Sequence, residues 1–211
     1  GLSEVVQGLD RKRGRDIRGI IEKVPYIASL GVDLVWFNPF FPSPQRDNGY
    51  DVADYCAIDP AMGTMADFDE LVAALDGYGI GVMLDMVLNH TSTAHEWFQK
   101  ALAGDEKYRA FYYLRPGQRT GRSRRTGCRS SVAPPGRRSA TPACTTCGLY
   151  QTQADLDWHN PEVRAEMASV VNFWRRRGVR GFRFDVINLI GKGAELVDAP
   201  AGTDDRFVYT D

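Results

Sequence analysis

The chain has 211 residues, 43% of them hydrophobic and 25% charged, a composition typical of a globular domain with a hydrophobic core. Its 26 basic and 27 acidic residues nearly balance, so charge gives no reason to expect binding to nucleic acid or to an anionic membrane. No apolar run approaches the roughly 20 residues that span a bilayer, and the N-terminal stretch lacks the apolar core of a secretory signal, so we expect a cytoplasmic protein.

The first predicted elements are a helix and a short strand. Between Asp16 and Gly31, apolar residues recur at helical spacing, with Pro25 as a predicted kink and Gly31 as the stop. The apolar run Val32–Phe37 follows and ends at Asn38-Pro39, which is the pattern of a strand that is buried on both faces.

The same helix-to-strand unit occurs twice more. Thr64 is the predicted cap of a second helix, with Asp67 three residues on, and the strand-like run Ile80–Leu88 follows it. Asn160 is the predicted cap of a third helix, which precedes the run Gly181–Ile187. Three such units predict a parallel sheet covered by helices, either doubly wound or a β/α barrel, and periodicity alone does not choose between the two.

The connection between the second and third units is unusual. From Asn89 to Asn160 it runs for about 70 residues, which is too long for an ordinary loop, so we expect an inserted subdomain. Within it, Arg115 to Cys147 is rich in arginine, proline and cysteine and poor in aliphatic residues, and we expect this part to be disordered. Cys144 and Cys147 form a C-x-x-C pair without a second pair or nearby histidines, and we predict no metal there.

Polar residues follow each predicted strand, where a parallel β/α architecture forms its ligand site. The loop Asn38–Val52 mixes aromatic rings with carboxylates and amides, which suits a sugar, although a plain surface loop with an Asp-Asn-Gly turn explains it equally well. Asp85 lies within the second strand and Asn89-His90 follows it, and a single histidine there is more often a structural hydrogen-bonding residue than a catalyst.

The third strand carries the most informative pair. Arg183 and Asp185 are two residues apart, so both side chains point to the same side of an otherwise apolar strand. They are either a structural ion pair or a carboxylate that an adjacent guanidinium keeps ionised, as a nucleophile requires.

At this point the motifs match a known family. Asp85–His90 resembles the first conserved region of glycoside hydrolase family 13, the α-amylase superfamily, and Gly181–Asp185 resembles the second. Gln153–Trp158 resembles the oligoglucosidase-type marker of the inserted domain, and Asp47–Asp51 lies upstream as expected. Within the family the chain is most similar to trehalose-6-phosphate hydrolases, with oligo-1,6-glucosidases close behind.

The resemblance implies a fold and a domain division. The fold it implies is α/β, a partial (β/α)₈ TIM barrel with an inserted subdomain after the third barrel strand. We expect residues 1–90 to form the first part of the catalytic barrel, 91–159 the inserted subdomain with the anomalous segment 115–147, and 160–211 the barrel continuation, truncated after the fourth strand.

The resemblance also implies residue roles. Asp185 would be the nucleophile of a retaining α-glucosidase, with Arg183 keeping it ionised, through a covalent glucosyl-aspartate intermediate. His90 and Asp47 would hydrogen-bond the glucose, and Tyr50 would stack beneath its ring. The implied partner is a small carbohydrate, either trehalose 6-phosphate or a short α-glucan, with no nucleic acid and no membrane, and the full-length form would be a monomer.

Departures from the family pattern limit these expectations. The acid/base glutamate of the family follows the fifth strand, and the chain ends at Asp211 before it, so we expect this chain to be inactive by itself. Gly1 to Arg15 lacks the metal loop of the family, so we expect no metal and no cofactor. Loss of similarity there and in 115–147 suggests a reading-frame slip, which resequencing would test. The alternatives are a non-catalytic amylase-like barrel module, which would lack the nucleophile, and a degraded gene product.

Overall fold

The computed structural model describes residues 16–116, 131–132, 144–146 and 152–192. In chain order the elements are α1 (Ile17–Ser29), β1 (Leu34–Phe37), α2 (Met65–Asp76), β2 (Gly81–Val87), β3 (His90–Ser92), α3 (Glu96–Ala103), α4 (Glu106–Arg109), β4 (Leu114–Pro116), β5 (Ser131–Val132), β6 (Cys144–Thr146), β7 (Gln153–Asp155), α5 (Pro161–Arg176), β8 (Val179–Asp185) and a 3₁₀ turn (Ile187–Leu189).

The central sheet consists of three parallel strands in the order β1-β2-β8, as the three helix-to-strand units predict. The predicted burial of β1 on both faces is wrong, because Trp36 is 39% exposed. In β2 every residue but Met83 is buried, and in β8 Phe184 is 40% exposed. Strands β1 and β8 are the two edges of the sheet formed by the described residues, and Trp36 and Phe184 lie on faces that those residues leave partly uncovered.

The predicted helix starts are confirmed. The side chain of Asp16 caps α1, Pro25 lies within that helix, and Asn160 caps α5. Thr64 and Asp67 form a reciprocal capping box at the start of α2, each side chain accepting from the backbone N–H of the other residue. These caps satisfy backbone N–H groups that the helix itself cannot, so each one determines the residue at which its helix begins.

The core on one side of the sheet is built around the fully buried Trp174 of α5. Its ring packs against Phe40, Phe41 and Phe68, with centroid distances of 5.1 to 5.9 Å. The indole Nε1 donates to the carbonyl of Tyr55 at 2.7 Å, so its polar group is satisfied. This cluster joins α5 and α2 to the loop that follows β1, the loop that carries Asp47 and Tyr50.

The long connection after β2 returns to the carboxyl end of the central sheet. β3 pairs antiparallel with β7, with His90 opposite Asp155, which brings the end of the connection to the carboxyl end of β2. Strands β4, β6 and β5 form a second small antiparallel sheet. These strands include short parts of the segment 115–147, and the rest of that segment lies outside the described residues, so its disorder stays a prediction. Among the described helices, none is both long and apolar enough to cross a membrane.

Candidate active site

The predicted Arg183–Asp185 pair lies at the carboxyl end of β8 and is joined by a third residue. In the parallel register Asp85 of β2 lies beside Arg183. The Nη1 atom of Arg183 is 2.7 Å from Asp85 Oδ2 and 2.8 Å from Asp185 Oδ1. One guanidinium therefore bridges a carboxylate from each of two neighbouring strands, and the prediction that Arg183 and Asp185 share one side of the strand is confirmed.

The two carboxylates differ in their access to solvent. The Asp85 side chain is 0% exposed, whereas that of Asp185 is 18% exposed. Burial raises the pKa of the Asp85 carboxyl above its ordinary value, although the ion pair with Arg183 and a hydrogen bond from the Tyr50 hydroxyl (3.1 Å) oppose the shift. Asp185 is therefore the carboxylate that a ligand can reach, and Asp85 is the one that holds Arg183.

The backbone beside Asp185 has an uncommon conformation. Val186 lies in the left-handed region at φ 43°, ψ 35°, where a β-branched side chain is disfavoured. This ends β8 at Asp185 and turns the chain into the 3₁₀ turn Ile187–Leu189. The carboxylate consequently stands at the last position of the strand, at the edge where loops converge.

Tyr50 and His90 lie next to this pair. Tyr50 is half-buried, and burial together with the nearby Asp85 raises the pKa of its hydroxyl to about 12, so it acts as a hydrogen-bond donor. His90 is 1% exposed, and burial lowers its pKa to about 4. Its Nε2 lies 3.3 Å from the Tyr50 carbonyl oxygen. The structure thus brings together Tyr50, His90, Arg183 and Asp185, four of the five predicted site residues.

Asp47, the fifth predicted residue, is attached to a different partner. Its Oδ2 accepts a hydrogen bond of 2.7 Å from Gln153 Nε2 on β7. The fully buried Asp51 organises the loop by accepting from the backbone N–H of Asp47 and Arg46 and from the Ser43 hydroxyl. Of the hydrogen bonds among the described residues, none joins Asp47 to the Arg183 cluster, so Asp47 lies on the side of the site that the insertion supplies.

A second polar cluster was missed by sequence reasoning. Lys192 Nζ lies 2.7 Å from Asn89 Oδ1, 3.1 Å from Asp155 Oδ2 and 2.6 Å from the Leu189 carbonyl. Burial raises the pKa of the Asp155 carboxyl, and Lys192 opposes that shift. Asp155 and Asn89 belong to motifs quoted for the family resemblance, but Lys192 carries no sequence signal beyond its place after the third strand.

The described residues offer no group of three or more histidine, cysteine or acidic side chains placed to hold a metal ion. What they offer is a reachable carboxylate beside a guanidinium, a phenol and a neutral imidazole. Such a set suits an uncharged, hydroxyl-rich ligand, because it combines hydrogen-bond donors and acceptors with an aromatic ring.

Comparison with known proteins identifies the family. The alpha-amylase catalytic-domain family matches residues 7–211. The chain is 47% identical over 198 residues to trehalose-6-phosphate hydrolase of Escherichia coli (strain K12), which covers 93% of this chain and 35% of that protein. It is 39% identical over 178 residues to oligo-1,6-glucosidase of Bacillus cereus, covering 84% of this chain and 32% of the relative. It therefore spans about a third of the length of these relatives.

A crystal structure of Bacillus licheniformis trehalose-6-phosphate hydrolase matches with a TM-score of 0.80 at 42% identity, over 93% of this chain and 36% of that one. The likeness resolves the choice that periodicity left open, since β1, β2 and β8 are strands of a partial (β/α)₈ barrel rather than of an open doubly wound sheet. On the family match, the sequence identities and the shared fold, the chain belongs to the α-amylase catalytic-domain family, glycoside hydrolase family 13.

Proposed function

We propose that this chain is part of a retaining α-glucosidase that hydrolyses trehalose 6-phosphate or short α-glucans. The observation that carries the proposal is the reachable Asp185 carboxylate, which Arg183 holds at 2.8 Å at the carboxyl end of a barrel strand. The printed names of the relatives at 47% and 39% identity support the same substrate classes.

In this proposal Asp185 is the nucleophile. Its carboxylate attacks the anomeric carbon of the glucosyl unit, the bond to the leaving oxygen breaks, and a glucosyl ester of Asp185 forms. Water then attacks the same carbon, releasing glucose and returning the carboxylate. Arg183 Nη1 lies 2.8 Å from Asp185 Oδ1, so the ion pair would hold the carboxylate in place for this attack.

Three other residues would bind the sugar. Tyr50 presents a half-buried ring on which the apolar face of a pyranose can stack. His90 is neutral over the ordinary pH range, so its ring N–H can donate to a hydroxyl without placing a charge in the site. Asp47 stands at the boundary with β7 and accepts from Gln153, and its carboxylate can also accept from a sugar hydroxyl.

Retaining hydrolysis also needs a carboxylic acid to protonate the leaving oxygen, about 5 to 5.5 Å from the nucleophile. Asp85 does not suit this task, because its Oδ2 is held by both Arg183 and Tyr50 and its side chain is 0% exposed. The resemblance assigns the acid to a glutamate after the fifth barrel strand.

The test is hydrolysis of trehalose 6-phosphate, isomaltose and p-nitrophenyl α-glucoside by the full product of the gene and by its Asp185→Asn variant. We expect the substitution to abolish turnover, and the preferred substrate to identify the specificity. Glu22→Gln, which changes an exposed carboxylate on α1, is the matched control and should keep full activity.

A mechanism-based fluoroglucosyl fluoride would show the intermediate directly. Mass spectrometry of the digested protein should find the glucosyl group on the peptide that contains Asp185. Undiminished turnover by Asp185→Asn, or a label on another residue, would refute the assignment, and absence of turnover in the full gene product would favour a non-catalytic barrel module.

A further inference from the structure

The cluster around Lys192 determines the orientation of the Asn89 amide. An ammonium group only donates hydrogen bonds, so the Asn89 atom 2.7 Å from Lys192 Nζ is the carbonyl oxygen Oδ1. The other terminal atom is therefore the NH₂ nitrogen, which only donates. Asn89 is completely buried, so solvent does not compete for these groups.

The Asn89 NH₂ group meets two acceptors. Its nitrogen lies 3.1 Å from Asp155 Oδ1 and 3.1 Å from His90 Nδ1. With one hydrogen for each, the amide requires a lone pair on His90 Nδ1, so the ring proton is on Nε2. The opposite side of the ring leads to the same result, because Nε2 lies 3.3 Å from the Tyr50 carbonyl oxygen, which only accepts.

We propose that Asn89, oriented by Lys192 and Asp155, is a positioning residue that fixes His90 as the neutral tautomer with its proton on Nε2. The inference rests on the proposed function, in which that Nε2–H, 3.3 Å from the Tyr50 carbonyl, is shared between this carbonyl and a hydroxyl of the sugar. A tautomer with the proton on Nδ1 would turn a lone pair toward the Tyr50 carbonyl and could not donate there.

The cluster is assembled from three parts of the fold. Asn89 lies between β2 and β3, Asp155 lies on β7 of the insertion, and Lys192 follows the strand that carries Asp185. The backbone supports the arrangement, since His90 pairs with Asp155 in the β3–β7 register and the Tyr55 hydroxyl lies 2.7 Å from the His90 carbonyl. Orientation of His90 consequently depends on docking of the insertion and of the segment after β8.

The alternative is a purely structural role, in which Lys192, Asp155 and Asn89 only stabilise the fold. The two ideas differ for Asn89→Asp, which keeps the shape of the side chain but replaces the donor by an acceptor. If Asn89 determines the tautomer, His90 gains a proton on Nδ1 in this variant. If the cluster is only structural, the ring keeps its proton on Nε2 alone.

The experiment is long-range ¹H–¹⁵N correlation NMR of the intact chain labelled with ¹⁵N-histidine. The chain has three histidines, and His90→Gln assigns the signal of interest. For the wild type we expect one neutral form of His90 with the proton on Nε2, and for Asn89→Asp we expect a proton on Nδ1. His95 is the internal control, because its Nδ1 accepts from the backbone N–H of Trp97 at 3.1 Å and should not change.

Two results would overturn the proposal. One is a wild-type His90 that carries its proton on Nδ1, and the other is an unchanged tautomer in Asn89→Asp while His95 keeps its signature. If His95 also changes, the variant has lost its fold, and the wild-type spectrum decides. None of these readouts uses a substrate, so failure of the proposed hydrolysis would leave this test intact.

Discussion

Replacing Arg183 by methionine removes the charge that two carboxylates share. In the protein a single nitrogen, Nη1, lies 2.7 Å from Asp85 Oδ2 and 2.8 Å from Asp185 Oδ1. Methionine keeps much of the apolar stem but removes the guanidinium, whose Cζ lies 5.4 Å from the Trp36 ring centroid. The variant therefore removes the charge together with this one packing contact.

The size of the effect follows from burial. Without Arg183, the Asp85 side chain, which is 0% exposed, keeps the Tyr50 hydroxyl as a donor but loses its cation. Removing one partner of a buried ion pair costs about 3–5 kcal/mol. The Arg183 side chain is 41% exposed, so solvent screens part of the interaction, and we expect a loss of about 2 kcal/mol in the free energy of unfolding at neutral pH.

The pH dependence separates this cause from lost packing. Burial already raises the folded-state pKa of Asp85 above its unfolded value of 3.8, and loss of Arg183 raises it further. The folded variant then retains a proton that the unfolded chain releases, so its stability relative to the wild type falls as pH rises from 3.8 through the raised value. The deficit should be largest at neutral pH and shrink toward acid, as measured by urea unfolding followed by circular dichroism.

Arg180→Met is the matched control. Arg180 lies on the same strand and pairs with Asp76, but the two side chains are 53% and 62% exposed. An exposed pair of this kind contributes about 0–1 kcal/mol, so we expect little loss at any pH. An equal loss in both variants, or a deficit in Arg183→Met that does not vary with pH, would refute the reasoning.

Two further predictions concern the described fold. Burial lowers the pKa of both His90 and His95 to about 4, below the unfolded value of 6.5. The unfolded chain therefore binds protons that the folded protein excludes, and the free energy of unfolding should be highest above pH 6.5 and fall toward pH 4. Urea unfolding across this range measures how the free energy of unfolding depends on pH. His95→Gln should reduce that dependence, and the dependence would be absent if the histidines titrated normally. Thr64→Ala removes the capping box with Asp67 and should lower the free energy of unfolding by about 1 kcal/mol, whereas Thr64→Ser should keep the cap; equal melting temperatures for both variants would contradict this role.

Local signals predicted the elements well because the forces that set them are local. The predicted caps at Thr64 and Asn160 stand where their side chains can reach the first free N–H groups of a helix, and the structure confirms both. Asp16, the start of the first predicted helix, is also a cap. The apolar runs predicted three strands, but not that β1 and β8 are only partly covered. Coverage depends on which neighbours a strand has in the sheet, and that is a property of the tertiary fold.

The site was predictable where its residues belong to one strand and not where distant segments meet. Arg183 and Asp185 are neighbours by the two-residue period of a strand, so their proximity follows from the sequence. Asp85 reaches Arg183 through the β2–β8 register, across 98 residues, and the contact of Lys192 with Asn89 spans 103 residues. No periodicity encodes such contacts, and the resemblance to a family named only the residues that its motifs contain.

The same distinction separates contacts that form within one strand from contacts that need several segments to be docked. A contact within a strand persists in any fold that keeps the strand, so the Arg183–Asp185 pair alone does not show that a site has formed. The contact of Asp85 with Arg183 needs β2 beside β8, and the contacts of Asn89 and Lys192 also need the insertion and the segment after β8 to be docked. The tautomer of His90, whose ring contacts Asn89, therefore reports whether these segments are docked. Loss of turnover in Asp185→Asn reports only on the chemical step.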